Sequence, residues 1–161
     1  MQIDEMNEII EGIRQHKLSL SKMYQQFAKS HPDHNQFWSH MAHEEAMHAR
    51  WIESLGQYYQ MGQIGVSELK LNHQVLKTAI SHIEKQTDAS RNGNLPLLNA
   101  VSIALDIEKS MIDNKFFEVF DLADVKYDRI RTGLKKETAK HRQHLENLFL
   151  ELNENQDSRT N

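Results

Sequence analysis

The stretch MAHEEAMHARWIESL (41–55) has a second, diverged copy in LKKETAKHRQHLENL (134–148). Superimposed, the two place Met41 on Leu134, Glu44 on Glu137, His48 on His141, Ile52 on Leu145, Glu53 on Glu146 and Leu55 on Leu148. The preceding segments match in the same way, with Ile9 on Val101, Gly12 on Ala104, Ile13 on Leu105, Leu20 on Ile112, Tyr24 on Phe116 and Phe27 on Val119. Repetition of this kind means that one structural unit occurs twice. Because the apolar residues recur at three- and four-residue steps, the unit is a pair of amphipathic helices.

Working outward, only six glycines and two prolines interrupt 161 residues of helical periodicity, which predicts an all-α protein. Long helices are predicted over 3–29, 33–61, 95–120 and 125–153. The first ends before His31-Pro32-Asp33, since the residue before a proline is pushed out of the helical region. After Gly56, Gly62 and Gly65 comes a shorter amphipathic segment, 67–87, with Val75, Leu76, Ala79, Ile80 and Ile83 at helical spacing; it reads as a crossover. The break DASRNGNL (88–95) is next, and Pro96 suits the first turn of the third long helix. Two helical hairpins joined by a long connection that holds a short helix make a four-helix bundle with a crossover. This reading assigns 1–153 to the bundle and 154–161 to a polar, disordered tail.

A chain of this length buries about two-thirds of the surface its unfolded form exposes, enough for one core. Cysteine is absent, which excludes disulfides, a thiolate nucleophile, zinc fingers and iron–sulfur ligation, so any metal must sit on His, Asp or Glu. A formal charge of −4 and a pI near 6.2 leave no basic footprint for nucleic acid. No apolar run approaches the roughly 20 residues of a membrane span, and the acidic start MQIDEMNEII is unlike a signal peptide. Both features point to a soluble, cytoplasmic protein.

Polar residues interrupt every apolar stripe near its middle. The stripes read Ile9, Ile13, His16, Leu20, Tyr24, Phe27; then Trp38, Met41, Glu45, His48, Ile52, Leu55; then Val101, Leu105, Glu108, Ile112, Phe116, Val119; and Arg131, Leu134, Thr138, His141, Leu145, Leu148. One layer of the bundle is thus predicted to hold His16, Glu45, His48, Glu108, Thr138 and His141. Buried and uncompensated, each charge in such a layer would cost several kcal/mol. Two compensations are open: one bound divalent ion, or Glu–His pairing helped by Lys17 or water. Elsewhere the bland readings hold. His31, His34, His40 and His43 are read as surface, Met41 and Met47 as packing, Trp38 and Trp51 as core or interface. The run Phe116, Phe117, Phe120 places one aromatic beyond the core stripe, a candidate homodimer contact.

Glu44-Glu45-Ala46-Met47-His48, set in a bundle with duplicated halves, resembles the ferritin-like superfamily and is most similar to its rubrerythrin-type domains, over roughly residues 5–150. The resemblance implies a pair of iron or manganese ions held by one Glu from each of two helices and a Glu-x-x-His from each of the other two. It matches Glu45 and His48 to the first Glu-x-x-His and Glu108 to the single Glu of the second half. His141 keeps the second histidine, but Thr138 stands where its Glu belongs, leaving only the offset Glu137. The first-helix Glu falls on His16 by the repeat, or on Lys17 counting back from Tyr24. By this resemblance the ligand set is Glu45, His48, Glu108 and His141, with His16 as fifth. It would hold at most one tight Fe, Mn or Zn ion. The implied activity is an oxidoreductase for dioxygen or peroxide, fed by an external electron donor. The alternative is a non-catalytic structural or binding protein on the same fold that has lost the metal.

Overall fold

The computed structural model describes residues 3–66, 72–113, 116–121 and 125–159. The chain is helical apart from short connections. Helix α1 (Ile3–Ser30) turns through a single 3-10 turn, Pro32–His34, into α2 (Asn35–Gln60). A shorter α3 (His73–Arg91) precedes α4 (Leu97–Asp113) and the long α5 (Val125–Arg159). A two-residue antiparallel ladder pairs Gly65–Val66 with Phe120–Asp121. Helix α1 packs along α2 and α3, and α4 packs along α5. No described helix is long and apolar enough to cross a membrane.

Most stripe residues lie in one continuous core that joins Ile9, Ile13, Leu20, Tyr24 and Phe27 to Trp38, Met41, Ile52, Leu55, Val101, Leu134, Leu145 and Leu148. Helix α4 is rotated from its predicted stripe. Leu105 and Ile112 are only partly buried, and Ile107 and Met111 take the inner positions beside Glu108. At the top of α5, Arg131 lies at the edge of the core and donates to the Phe120 carbonyl at 3.2 Å.

Three boundaries differ from the sequence reading. The third long helix does not run to Phe120; a 3-10 turn, Phe116–Val119, and the ladder replace its end. Aromatic and β-branched residues make the run Phe-Phe-Glu-Val-Phe a weak α-helix former, and Phe116, Phe117 and Phe120 are all buried within the chain. None of the three is left exposed as a dimer contact. The crossover helix starts later and ends later than 67–87. Asn72 caps its start by accepting from the Val75 N–H at 3.0 Å, and buried Ser90 bonds Ser30 at 2.8 Å near its end. Residues 67–71 of the predicted segment lie outside the described residues. Finally, α5 continues past Asn153 to Arg159, where Ser158 bonds back to the Glu154 carbonyl at 2.9 Å; polar composition alone does not stop a helix whose last residues, 154–159, include no Gly or Pro. Residues 160–161 of the predicted tail lie outside the described residues.

Close approach of α1 and α3 depends on Gly12, where an added Cβ would sit 2.8 Å from Leu76 Cδ1. Gly12→Ala is expected to be near neutral, because the better helix propensity, about 1 kcal/mol, offsets a small shift of Leu76. Gly12→Leu should instead lose about 1–3 kcal/mol in urea denaturation through overpacking.

Candidate metal centre

Four helices each bring a chemically active side chain to one buried level. Lys17 comes from α1, Glu45 and His48 from α2, Glu108 from α4, Thr138 and His141 from α5, and all six are buried. Ligand atoms of Glu45, Glu108 and His141 all lie within 4.8 Å of one another. His141 Nδ1 stands 2.9 Å from Glu45 Oε1 and 3.4 Å from Glu108 Oε1. Its other nitrogen, Nε2, is 2.6 Å from Glu44 Oε2, and Glu44 in turn meets His40 Nε2 at 3.1 Å.

The other side of Glu45 belongs to Lys17. The ammonium lies 2.9 Å from Glu45 Oε2, with both side chains 0% exposed. It also donates to Met111 Sδ at 3.3 Å and sits 5.3 Å from the centroid of the Phe117 ring. Tyr24, about two turns along α1 on the same face, donates its hydroxyl to Glu108 Oε1 at 2.8 Å and stacks on Trp38. His48 holds its Nδ1 at 3.5 Å from Glu45 Oε1, its ring between Trp51 and His141.

Charge preferences follow from this packing. Burial would raise the Glu45 carboxyl, but Lys17 beside it, aided by His141 and His48, holds it well below the usual range. Burial opposes charge on His141 too, yet the close carboxylates of Glu108 and Glu45 prevail and raise it to about 11. Burial, followed by Glu108 and Glu45, pushes the Tyr24 phenol well above its ordinary value. Hydrogen bonding is nonetheless incomplete. Contacts of Glu45 with Lys17 and His141 are at ion-pair distance without hydrogen-bond alignment, and Glu108 Oε2, Thr138 Oγ1 and both His48 nitrogens have no hydrogen-bond partner among the described residues. Unpaired acceptors at a buried level are groups whose coordination a cation could complete.

Of the five candidate ligands from the sequence, the structure clusters Glu45, Glu108 and His141 and sets His48 against Glu45. His16 is elsewhere. Its ring packs edge-on to Phe116, 5.1 Å between centroids, and Lys17 takes the inward place on α1. The reason is rotational: adjacent residues on a helix point about 100° apart, and Tyr24 fixes which face of α1 turns to Glu108. Glu137 pairs outward with Lys140 at 2.9 Å and does not replace the carboxylate missing at Thr138. Glu44 and Tyr24 are not among the sequence candidates, although Tyr24 stands on the apolar stripe, where a hydroxyl needs a partner. No protein-family model matches the sequence, and comparison with curated proteins and with solved structures finds no match.

His16 is buried, and that burial, followed by the charge of Lys17, lowers it to about 3 from an ordinary 6.5. As pH falls below 6.5 the unfolded chain takes up a proton that the folded chain refuses, so the folded state loses stability down to about pH 3. His16→Phe removes this penalty. Between pH 7 and pH 5, urea denaturation should show wild type losing about 2 kcal/mol more than the variant.

Proposed function

We propose that the chain is a rubrerythrin-like metal-binding protein built on a ferritin-type four-helix bundle. It holds one divalent ion, Fe²⁺ or Mn²⁺, at Glu45, Glu108 and His141, and the Lys17 ammonium stands in for the second ion of the family. The observation that carries the reading is the convergence of two buried carboxylates and one imidazole from three helices within 4.8 Å. Charge supports it: one ammonium and one divalent ion balance the three carboxylates Glu44, Glu45 and Glu108. Chemistry supports it too, since carboxylate with imidazole suits iron and manganese.

The chain's own residues have separable roles. Glu44 accepts from His141 Nε2, which leaves Nδ1 directed at Glu45 and Glu108, the carboxylate–histidine arrangement that fixes a ligand's tautomer. Tyr24 orients Glu108 through its hydroxyl. Lys17 holds Glu45 from the opposite side and keeps that half of the layer closed to a second cation. Trp38 stacks on Tyr24, and the Phe117 ring lies against the Lys17 ammonium, so each backs a residue that holds a carboxylate. A bound iron or manganese ion would supply one-electron redox chemistry toward dioxygen or peroxide, with electrons from another protein. The second reading, a bundle without metal, draws on the same Lys17–Glu45 pair and on the raised His141, which together neutralise Glu45 and Glu108.

Metal analysis separates the two. After purification without a histidine tag and loading with Fe²⁺ or Mn²⁺, we expect one ion per chain, lost in Glu45→Ala and in His141→Ala. Two ions per chain, or retention in both variants, contradicts the single-ion site, and zero after loading favours the metal-less bundle. Because two-metal bridging is blocked, rapid multiple-turnover iron oxidation should be absent from wild type.

A further inference from the structure

A cavity of about 350 Å³ opens between α4, the Phe116–Val119 turn and α5. Met111 and Ile112 of α4, Phe117 of the turn and Ala139 of α5 give it apolar walls, and Glu118, Lys135 and Arg142 supply its charged side chains. Lys135, Ala139 and Arg142 follow one another at four- and three-residue steps and so share one face of α5. Lys135 is committed to Glu118, 2.7 Å from Nζ to Oε1. Arg142 is held less closely. Its one ion pair among the described residues is long, 3.6 Å from Nε to Glu146 Oε1, and the same oxygen lies 4.0 Å from Lys109 Nζ, so two cations share one carboxylate. The Arg142 side chain is 39% exposed, and its terminal nitrogens make no hydrogen bond among the described residues. Apolar walls, a volume of several hundred Å³ and one accessible, incompletely balanced guanidinium make a pocket for a small amphipathic anion.

We infer that this cavity binds a small aliphatic monocarboxylic acid, its carboxylate on Arg142 and its chain against Met111, Ile112 and Phe117. Guanidinium and carboxylate match as two parallel hydrogen bonds, and the acid supplies the negative charge that Glu146 divides between Arg142 and Lys109. A phosphate-type dianion is a poorer fit, because Lys135 already has Glu118 and the lining holds no further cation. A cationic ligand would face both Lys135 and Arg142, and a neutral one would leave the guanidinium without its anion. An alkyl chain suits the walls, since each buried methylene adds hydrophobic stabilisation and the unbranched Met111 side chain conforms to an irregular shape. Binding here requires no ion at Glu45, Glu108 and His141 and goes beyond the metal reading.

Titration of the full chain, labelled with ¹³C at its methionine methyl groups, with hexanoate and with 1-hexanol at pH 7 tests it. We expect hexanoate to shift the Met111 methyl saturably and to bind about tenfold more tightly than 1-hexanol, the scale of one hydrogen bond to a charged group. Arg142→Gln should bring the two affinities together. Ala139→Phe, a substitution at an exposed position on α5, should weaken both by filling the cavity. Equal affinity of the two compounds for wild type, a preference for hexanoate that persists in Arg142→Gln, a Met111 shift that survives Ala139→Phe, or no saturable binding at millimolar concentration would each overturn the assignment.

Discussion

The arrangement of the whole molecule turns on one buried ion pair, Lys17 with Glu45. Removing an ammonium and a carboxylate from water costs several kcal/mol for each, and mutual attraction restores this only where other groups complete their coordination. The structure supplies them in turn: Met111 sulfur and the Phe117 ring on the lysine side, His141 and His48 on the glutamate side. Each sits on a different helix or turn, so the pair can form only when α1, α2, α4 and α5 are all in place. Apolar layers above and below, such as Leu20 and Ile52, keep the level dry and therefore make the pairing matter.

The duplication makes the asymmetry of the site informative. Two copies of a helix pair would place equivalent residues on either side of the layer. Here the halves have diverged in opposite senses. The second copy carries an imidazole, His141, and a carboxylate, Glu108, and has Thr138 where the first copy has Glu45. The first keeps a complete Glu-x-x-His, but its helix α1 brings a cation rather than an anion. One half thus carries the fixed positive charge of Lys17, while the other presents carboxylates and an imidazole whose proton a bound ion would have to displace. A single ion is the occupancy that this inequality favours.

Much of this is legible in the sequence. Periodicity and the repeat give the long helices, and the stripes put Glu45, Glu108, Thr138 and His141 at one level. The all-helical class is clear in the structure; the ferritin-type assignment stands as the proposal above. The sequence leaves the α1 position open between His16, which the repeat aligns with Glu108, and Lys17, seven residues before Tyr24; helix rotation, fixed here by the packing of Tyr24 and Trp38, turns Lys17 inward. The same effect turns α4, where Met111 and Ile107 displace Leu105 and Ile112 from the inner face. The α4 rotation does not change the hydrophobic pattern enough for sequence to show it. The role of Glu44 is hidden for a related reason: its value lies in reaching His141 on another helix, a contact far apart in the chain.

The central claim is that Lys17 occupies the place of a second ion, and X-ray absorption fine structure of the Fe²⁺- or Mn²⁺-loaded chain tests it most directly. The expected result is a single shell of nitrogen and oxygen ligands with imidazole scattering and no metal–metal vector. A metal–metal distance of about 3.5–4 Å, the spacing of paired ions in two-metal sites, would contradict it.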